Sequence, residues 1–229
     1  INCPPMWDPA ALEYAVAAVG AQPRRFATLA WFPVDKPAEE AMVEGLLSHA
    51  GVLGLRLLFA SSAAAEALLS DQLNWLWRFA SVRDFPVAFG VPPALLPRVG
   101  VIARANPRMR VMIDHLAVSP FEKLPAAASH FDVLIELGRH ANVAIKATGV
   151  PSMAATAYPF LDTHAHLRRL FDAYGAERMF WGTDITRLQT SWHQCVLLFT
   201  EELRWLKGRD LELVMGQAVA QWINWKEHA

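Results

Sequence analysis

Asp184 closes a short apolar run, Met179-Phe180-Trp181, that breaks at Gly182. In a parallel α/β protein, a carboxylate just past the C-terminal end of a strand stands where sites are built. Such a group can serve as a hard metal ligand or as a base for water. It would equally serve as a helix N-cap or a loop ion-pair partner. His115 lies in a second apolar run, Arg110-Val-Met-Ile-Asp-His-Leu116. A neutral imidazole can ligate a metal or shuttle a proton near neutral pH. The bland alternative is a histidine hydrogen-bonded at a strand end. As strand neighbours, Asp114 and His115 are expected to point to opposite faces, so that only one meets the interior, His115 being preferred.

Arg56 and Lys146 are single charges inside apolar strands. A buried cation needs an anion, either a carboxylate of the protein or an anionic group on a substrate. Arg187 follows Thr183-Asp-Ile-Thr186 and could reach the same place from a loop, or stay solvated. Asp162-Thr-His-Ala-His166 imitates a metal-binding Asp-x-His-x-His. It runs into Leu167, Leu170, Phe171 and Tyr174 at helical spacing, and on a helix side chains two apart diverge by about 200°. That pair of histidines cannot share a metal. The remaining histidines (His49, His130, His140, His193 and His228) lack ligand spacing and are expected at the surface or as caps.

The elements that must position these residues alternate strictly. Apolar strands are expected at Phe26–Phe32, Val52–Phe59, Pro86–Val91, Arg110–Leu116, Val143–Thr148 and Arg178–Thr183. Helices are expected between them: Ala10–Val19 behind an Asp8-Pro9 start, Pro37–Ala50, Ser70–Val82, Pro92–Ala105 with Pro97 weakening its middle, Pro125–His140, and Asp162–Tyr174 stopped by Gly175. Two or three more helices fill Ser191–Trp225, with a break near Lys207-Gly208. Alternation of this kind means a parallel sheet covered by helices. The pattern alone leaves both a (β/α)8 TIM barrel and an open doubly wound sheet, with the barrel ahead. No Gly-x-Gly-x-x-Gly, P-loop or Gly-x-Ser-x-Gly motif occurs.

The totals narrow the function classes. Of 229 residues, 54% are hydrophobic and 19% charged, ample for a sizeable core. Net charge is −1, which provides no electrostatic case for nucleic acid or an anionic membrane. Only Cys3 and Cys195 occur, which suggests a reducing, cytoplasmic setting. No apolar run reaches the ~18 residues of a membrane span, and no signal-like start is present. The nine tryptophans are mainly packing residues, a few of them available for a site or a homo-oligomer interface.

Val111-Met-Ile-Asp-His-Leu116 and Met179-Phe-Trp-Gly-Thr-Asp184 together resemble the amidohydrolase-related family (amidohydrolase 2), metal-dependent hydrolases and decarboxylases with (β/α)8 barrels. Gly51-Val-Leu-Gly-Leu-Arg-Leu57, Val143-Ala-Ile-Lys146 and Phe171-Asp-Ala-Tyr-Gly175 stand in the expected order. The resemblance implies a single partial barrel domain over residues 1–229, holding the third to eighth strands and lacking the first two, which would add roughly 60 residues. It implies a divalent metal, commonly zinc, with Asp184 and His115 as ligands and catalytic residues. It places Arg56, Lys146 and Arg187 at a small-molecule substrate. The family's paired histidines on the first strand are absent from this chain, and no histidine stands near Phe89-Gly90 where a further ligand is expected. The implied reaction is water-driven hydrolysis of a small lactone or amide that carries carboxylates. The alternatives are nonhydrolytic decarboxylation and a catalytically silent partial barrel with an assembly role.

Overall fold

The computed structural model describes residues 8–226; the expectations placed on Ile1–Pro5, Cys3 and His228 lie outside them. The sheet contains six parallel strands in sequential order: β1 (Thr28–Trp31), β2 (Val52–Leu58), β3 (Val87–Gly90), β4 (Val111–Ile113), β5 (Val143–Thr148) and β6 (Met179–Gly182). Helix α1 (Ala11–Ala21) precedes β1, and α2 (Glu40–Leu47), α3 (Ser62–Leu69), α4 (Asn74–Arg83), α5 (Leu96–Ala105), α6 (Phe131–Leu137), α7 (Val150–Met153) and α8 (Leu161–Tyr174) connect the strands. After β6 come α9 (Trp192–Leu197), α10 (Gly208–Glu212) and α11 (Ala218–Trp222), with a π-helical turn following each of the first two. This is an α/β fold with six parallel strands of a partial TIM barrel. β1 and β6 are the edges of the sheet and do not pair with each other. Among the described residues no helix is long and apolar enough to cross a membrane.

The strands form because they are apolar and β-branched and are covered on both faces. Every residue of β4 is buried, as are Val87, Ala88 and Phe89 of β3 and Val143, Ala144 and Ile145 of β5. The helices keep period and caps. Ser61 accepts a hydrogen bond from the Ala64 amide to begin α3, an Ala-rich helix to which the sequence patterns assign nothing. The long helix expected at Pro125–His140 is a 3-10 turn at Ala126–Ala128 followed by the shorter α6. Pro97 falls in the first turn of α5, where a missing N–H costs nothing, rather than in its middle. His164 and His166 lie on α8, as their helical surroundings require.

The register fixes which residues share a face. Arg56 pairs with Ala88, Ala88 with Met112, and Met112 with Ala144. Residues two positions along each strand share that face, so Leu58, Gly90, Lys146 and Thr148 line it too. Small residues in the row, Ala88 and Ala144, leave room for the charged ends of Arg56 and Lys146.

β2 and β3 can approach closely only because position 54 has no side chain. A Cβ on Gly54 would lie 2.3 Å from the Pro86 carbonyl oxygen and 3.0 Å from Leu29 Cδ2. Gly54→Ala is therefore expected to cost about 1–3 kcal/mol through forced backbone shifts, and to lower the melting temperature by several degrees. Thermal melts of the two proteins check this; coincident curves would mean that the strands can move apart freely.

Candidate active site

β4 stops at Ile113, earlier than its apolar pattern suggests. His115, Leu116 and Ala117 then adopt φ of 50°, 55° and 56°, three successive non-glycine residues in the left-handed region. This turn corrects the expectation that Asp114 and His115 diverge. Asp114 keeps the face of Met112, while the turn swings His115 back to the same side, and both enter one cluster. A run of such residues is unfavourable and persists only where the surroundings hold it. One holder is His130, which the sequence reading places at the surface or as a cap and which stands at the N-cap position of α6. It is buried, and its Nε2 lies 2.8 Å from the Leu116 carbonyl oxygen as the donor.

Asp114 is the hub. Its side chain is only 1% exposed; Arg56 Nε lies 2.6 Å from Oδ2 and Lys146 Nζ 2.7 Å from Oδ1. Burial alone would raise this carboxyl's pKa, but Lys146 and Arg56, with a smaller part from His115, hold it well below the usual carboxylate range. The two lone strand cations thus meet a protein carboxylate, the first of the alternatives their burial demands. That residue, Asp114, is the one that simple strand alternation ranks below His115.

His115 links this hub to Asp184. Arg56 Nη2 stands 3.3 Å from His115 Nε2, and a guanidinium can only donate, so Nε2 accepts and the ring proton sits on Nδ1. That N–H faces Thr148 Oγ1 at 2.5 Å and Asp184 Oδ2 at 3.2 Å. Burial pushes the imidazole down to about 4, against the pull of Asp114 and Asp184, so it is neutral near pH 7. Asp184 is presented from a left-handed backbone (φ 48°) after β6. Arg187 Nε lies 3.1 Å from the same Asp184 Oδ2, and Arg187 Nη2 donates to the Val118 carbonyl. Burial lowers the Arg187 pKa and Asp184 opposes that shift. Ser152 Oγ donates to the Arg187 carbonyl at 2.6 Å. Arg56, Asp114, His115, Lys146, Asp184 and Arg187 are thus brought together. Thr148, Ser152 and His130 join them unannounced by the sequence; for Thr148 the available signal was its even spacing from Lys146.

Arg56, Asp114, His115, Asp184 and Arg187 form one side of a cavity of about 480 Å³ at the C-terminal ends of the strands, with Lys146 behind Asp114. Gly90 contributes space: a Cβ there would lie 2.8 Å from Leu58 Cδ1 on the cavity wall, so that side chain would have to shift.

Neutral His115 makes stability pH-dependent. Its folded value, about 4, lies below its ordinary 6.5, so as pH falls the unfolded chain takes up the proton first. The contribution is complete above about 6.5 and is lost as pH drops toward about 4. Denaturant titrations across that window should show falling stability, with a shallower slope for His115→Gln. Equal slopes would contradict a buried neutral ring.

A divalent metal fits this donor set poorly. Among the described residues no group of three or more His, Cys, Asp or Glu side chains is arranged to hold one. Both oxygens of Asp114 face cations, and Asp184 Oδ2 faces Arg187. An ion entering there would meet three positive side chains.

A family model described as amidohydrolase matches residues 8–223. The L-fucono-1,5-lactonase of Burkholderia ambifaria is 35% identical over 94 residues, which is 41% of this chain and about a third (32%) of the lactonase. A zinc-bound amidohydrolase structure from Burkholderia multivorans superposes with a TM-score of 0.78 at 16% identity, covering 93% of this chain and 78% of that one. A candidate 2-pyrone-4,6-dicarboxylic acid hydrolase from Pseudomonas putida gives 0.75 at 21% identity, over 99% of this chain and 81% of that one.

Proposed function

The chain belongs to the amidohydrolase family, and from that premise we propose that it hydrolyses a small, carboxylate-bearing lactone with Asp184 as the base. The observation that carries this is the charge balance of the cluster. Arg56, Lys146 and Arg187 face two carboxylates, Asp114 and Asp184, with His115 neutral. One positive charge is left over among the described residues, and a substrate carboxylate is its natural complement. The lactonase and the pyrone hydrolase are named for substrates of the ester type, which supports a lactone over an amide.

Both close contacts on Asp184 fall on Oδ2, which leaves Oδ1 to take a proton from water. That water attacks the lactone carbonyl carbon. The developing oxyanion is stabilised by a guanidinium, Arg56 or Arg187, each of which is partly buried. When the ring C–O bond breaks, the leaving oxygen recovers the proton from Asp184. His115 donates its Nδ1 proton toward Asp184 and Thr148 and so fixes the carboxylate's direction. Lys146 neutralises Asp114 and keeps that hub from repelling an anion.

The family and its zinc-bound member imply a divalent metal, but the described donor set does not fit one, and no step above uses it. Hydrolysis of carboxylate-bearing lactones, followed by proton release, is the test. Turnover is expected and should survive dialysis against a chelator. Loss of activity restored by added zinc would overturn the metal-free course; no turnover of any lactone would overturn the hydrolase reading.

A further inference from the structure

We propose that the substrate has a flat apolar body, an aromatic or unsaturated ring, and not a polyhydroxylated one; this rests on the lactone reading above and specifies its substrate. The cavity has two chemistries. Its charged side is the cluster just described. Half of the rest is Leu58, Val91, Pro92, Pro93, Val118 and Pro120.

Three of those six are prolines, which have no N–H to donate. Two of the amides nearby are already used: Phe59 donates to the Gly90 carbonyl at 2.8 Å, and Val118 to the His115 carbonyl at 2.9 Å. Away from the charged side, Ser119 and Thr186 alone among the described residues bring polar side chains to the wall.

Each hydroxyl of a sugar-like ring would lose water on entering and find few replacements, and an unpaired buried polar group opposes binding. A planar ring loses little by leaving water and gains contact with the proline and aliphatic surface. A volume of about 480 Å³ suits one or two fused rings with short substituents. The leftover positive charge orients such a molecule, carboxylate toward the arginines and ring against the prolines.

The test pairs ligands matched in charge. Equilibrium titration of the full chain with benzoate and with gluconate measures binding without turnover. Benzoate is expected to bind at least about tenfold more tightly, the discrimination that a few stranded hydroxyls produce. Initial rates on 5-carboxyphthalide, an aromatic lactone, should exceed those on glucaro-1,4-lactone, a polyhydroxylated one, by a similar factor. Leu58→Asn, which adds a polar group to the wall, should narrow both ratios. Gluconate binding as tightly as benzoate, faster turnover of the sugar lactone, or no binding of either acid overturns the proposal. Preferential benzoate binding with neither lactone hydrolysed would instead leave the substrate class standing and overturn the hydrolytic reading.

Discussion

Asp184→Asn is expected to lower kcat by roughly 10³-fold while leaving the melting temperature almost unchanged. The amide keeps the shape of the carboxylate and can still accept from His115 Nδ1 at the site of the present 3.2 Å contact. It cannot take a proton from water, and removing a positioned base typically costs 10²–10⁴-fold. The side chain is partly exposed and its neighbours, Arg187 and His115, stay in place, so the fold has little reason to respond. Steady-state rates with a carboxylate-bearing lactone and a parallel thermal melt decide the matter. A variant that keeps more than a tenth of wild-type turnover would remove Asp184 from the chemistry.

Asp114→Ala is expected to produce the largest loss of stability, on the order of 3–5 kcal/mol. The reason is asymmetry. Asp114 is almost wholly buried and answers Arg56 and Lys146 at 2.6 and 2.7 Å. Its removal strands two cations whose side chains are only 16% and 19% exposed, and each must find water or repel the other. For a chain of this size the melting temperature should fall by roughly 10 °C. Adding Arg56→Met and Lys146→Met to the same variant should recover much of the loss, because apolar side chains of similar volume need no counter-ion. A single variant that melts within 2 °C of wild type would show that solvent reaches the cations.

The contrast between these two carboxylates explains what could be read in the sequence. Arg56 and Lys146 were legible because a lone charge in an apolar strand demands an anion. Asp184 was legible because a strand end in a parallel sheet faces the site. The six strands and the helix bearing His164 and His166 followed from period and punctuation, and the six-stranded sheet bears them out to within three residues. What escaped was local geometry set from a distance. Alternation assumes that a strand continues, and nothing in Val111-Met-Ile-Asp-His announces that it ends at Ile113. The turn is held from elsewhere, by His130 on the Leu116 carbonyl and Thr148 on His115. His130, Thr148 and Ser152 are ordinary polar residues in the sequence; they matter through where the chain brings them. The helix Ser62–Leu69 escaped because its Ala-rich run has no charge pattern to mark a face.

The left-handed run at His115, Leu116 and Ala117 has a consequence for timing. Side-chain-bearing residues seldom visit that region when unconstrained, so a free chain almost never holds all three there at once. The turn can settle only after β4, β5 and α6 have docked and delivered Thr148 and His130. Its opening then needs only those few contacts to yield, a smaller event than unfolding of the sheet. Under mild denaturant the proposed lactone hydrolysis should cease while the circular dichroism is still native, the geometry of the candidate site being the last thing assembled and the first surrendered.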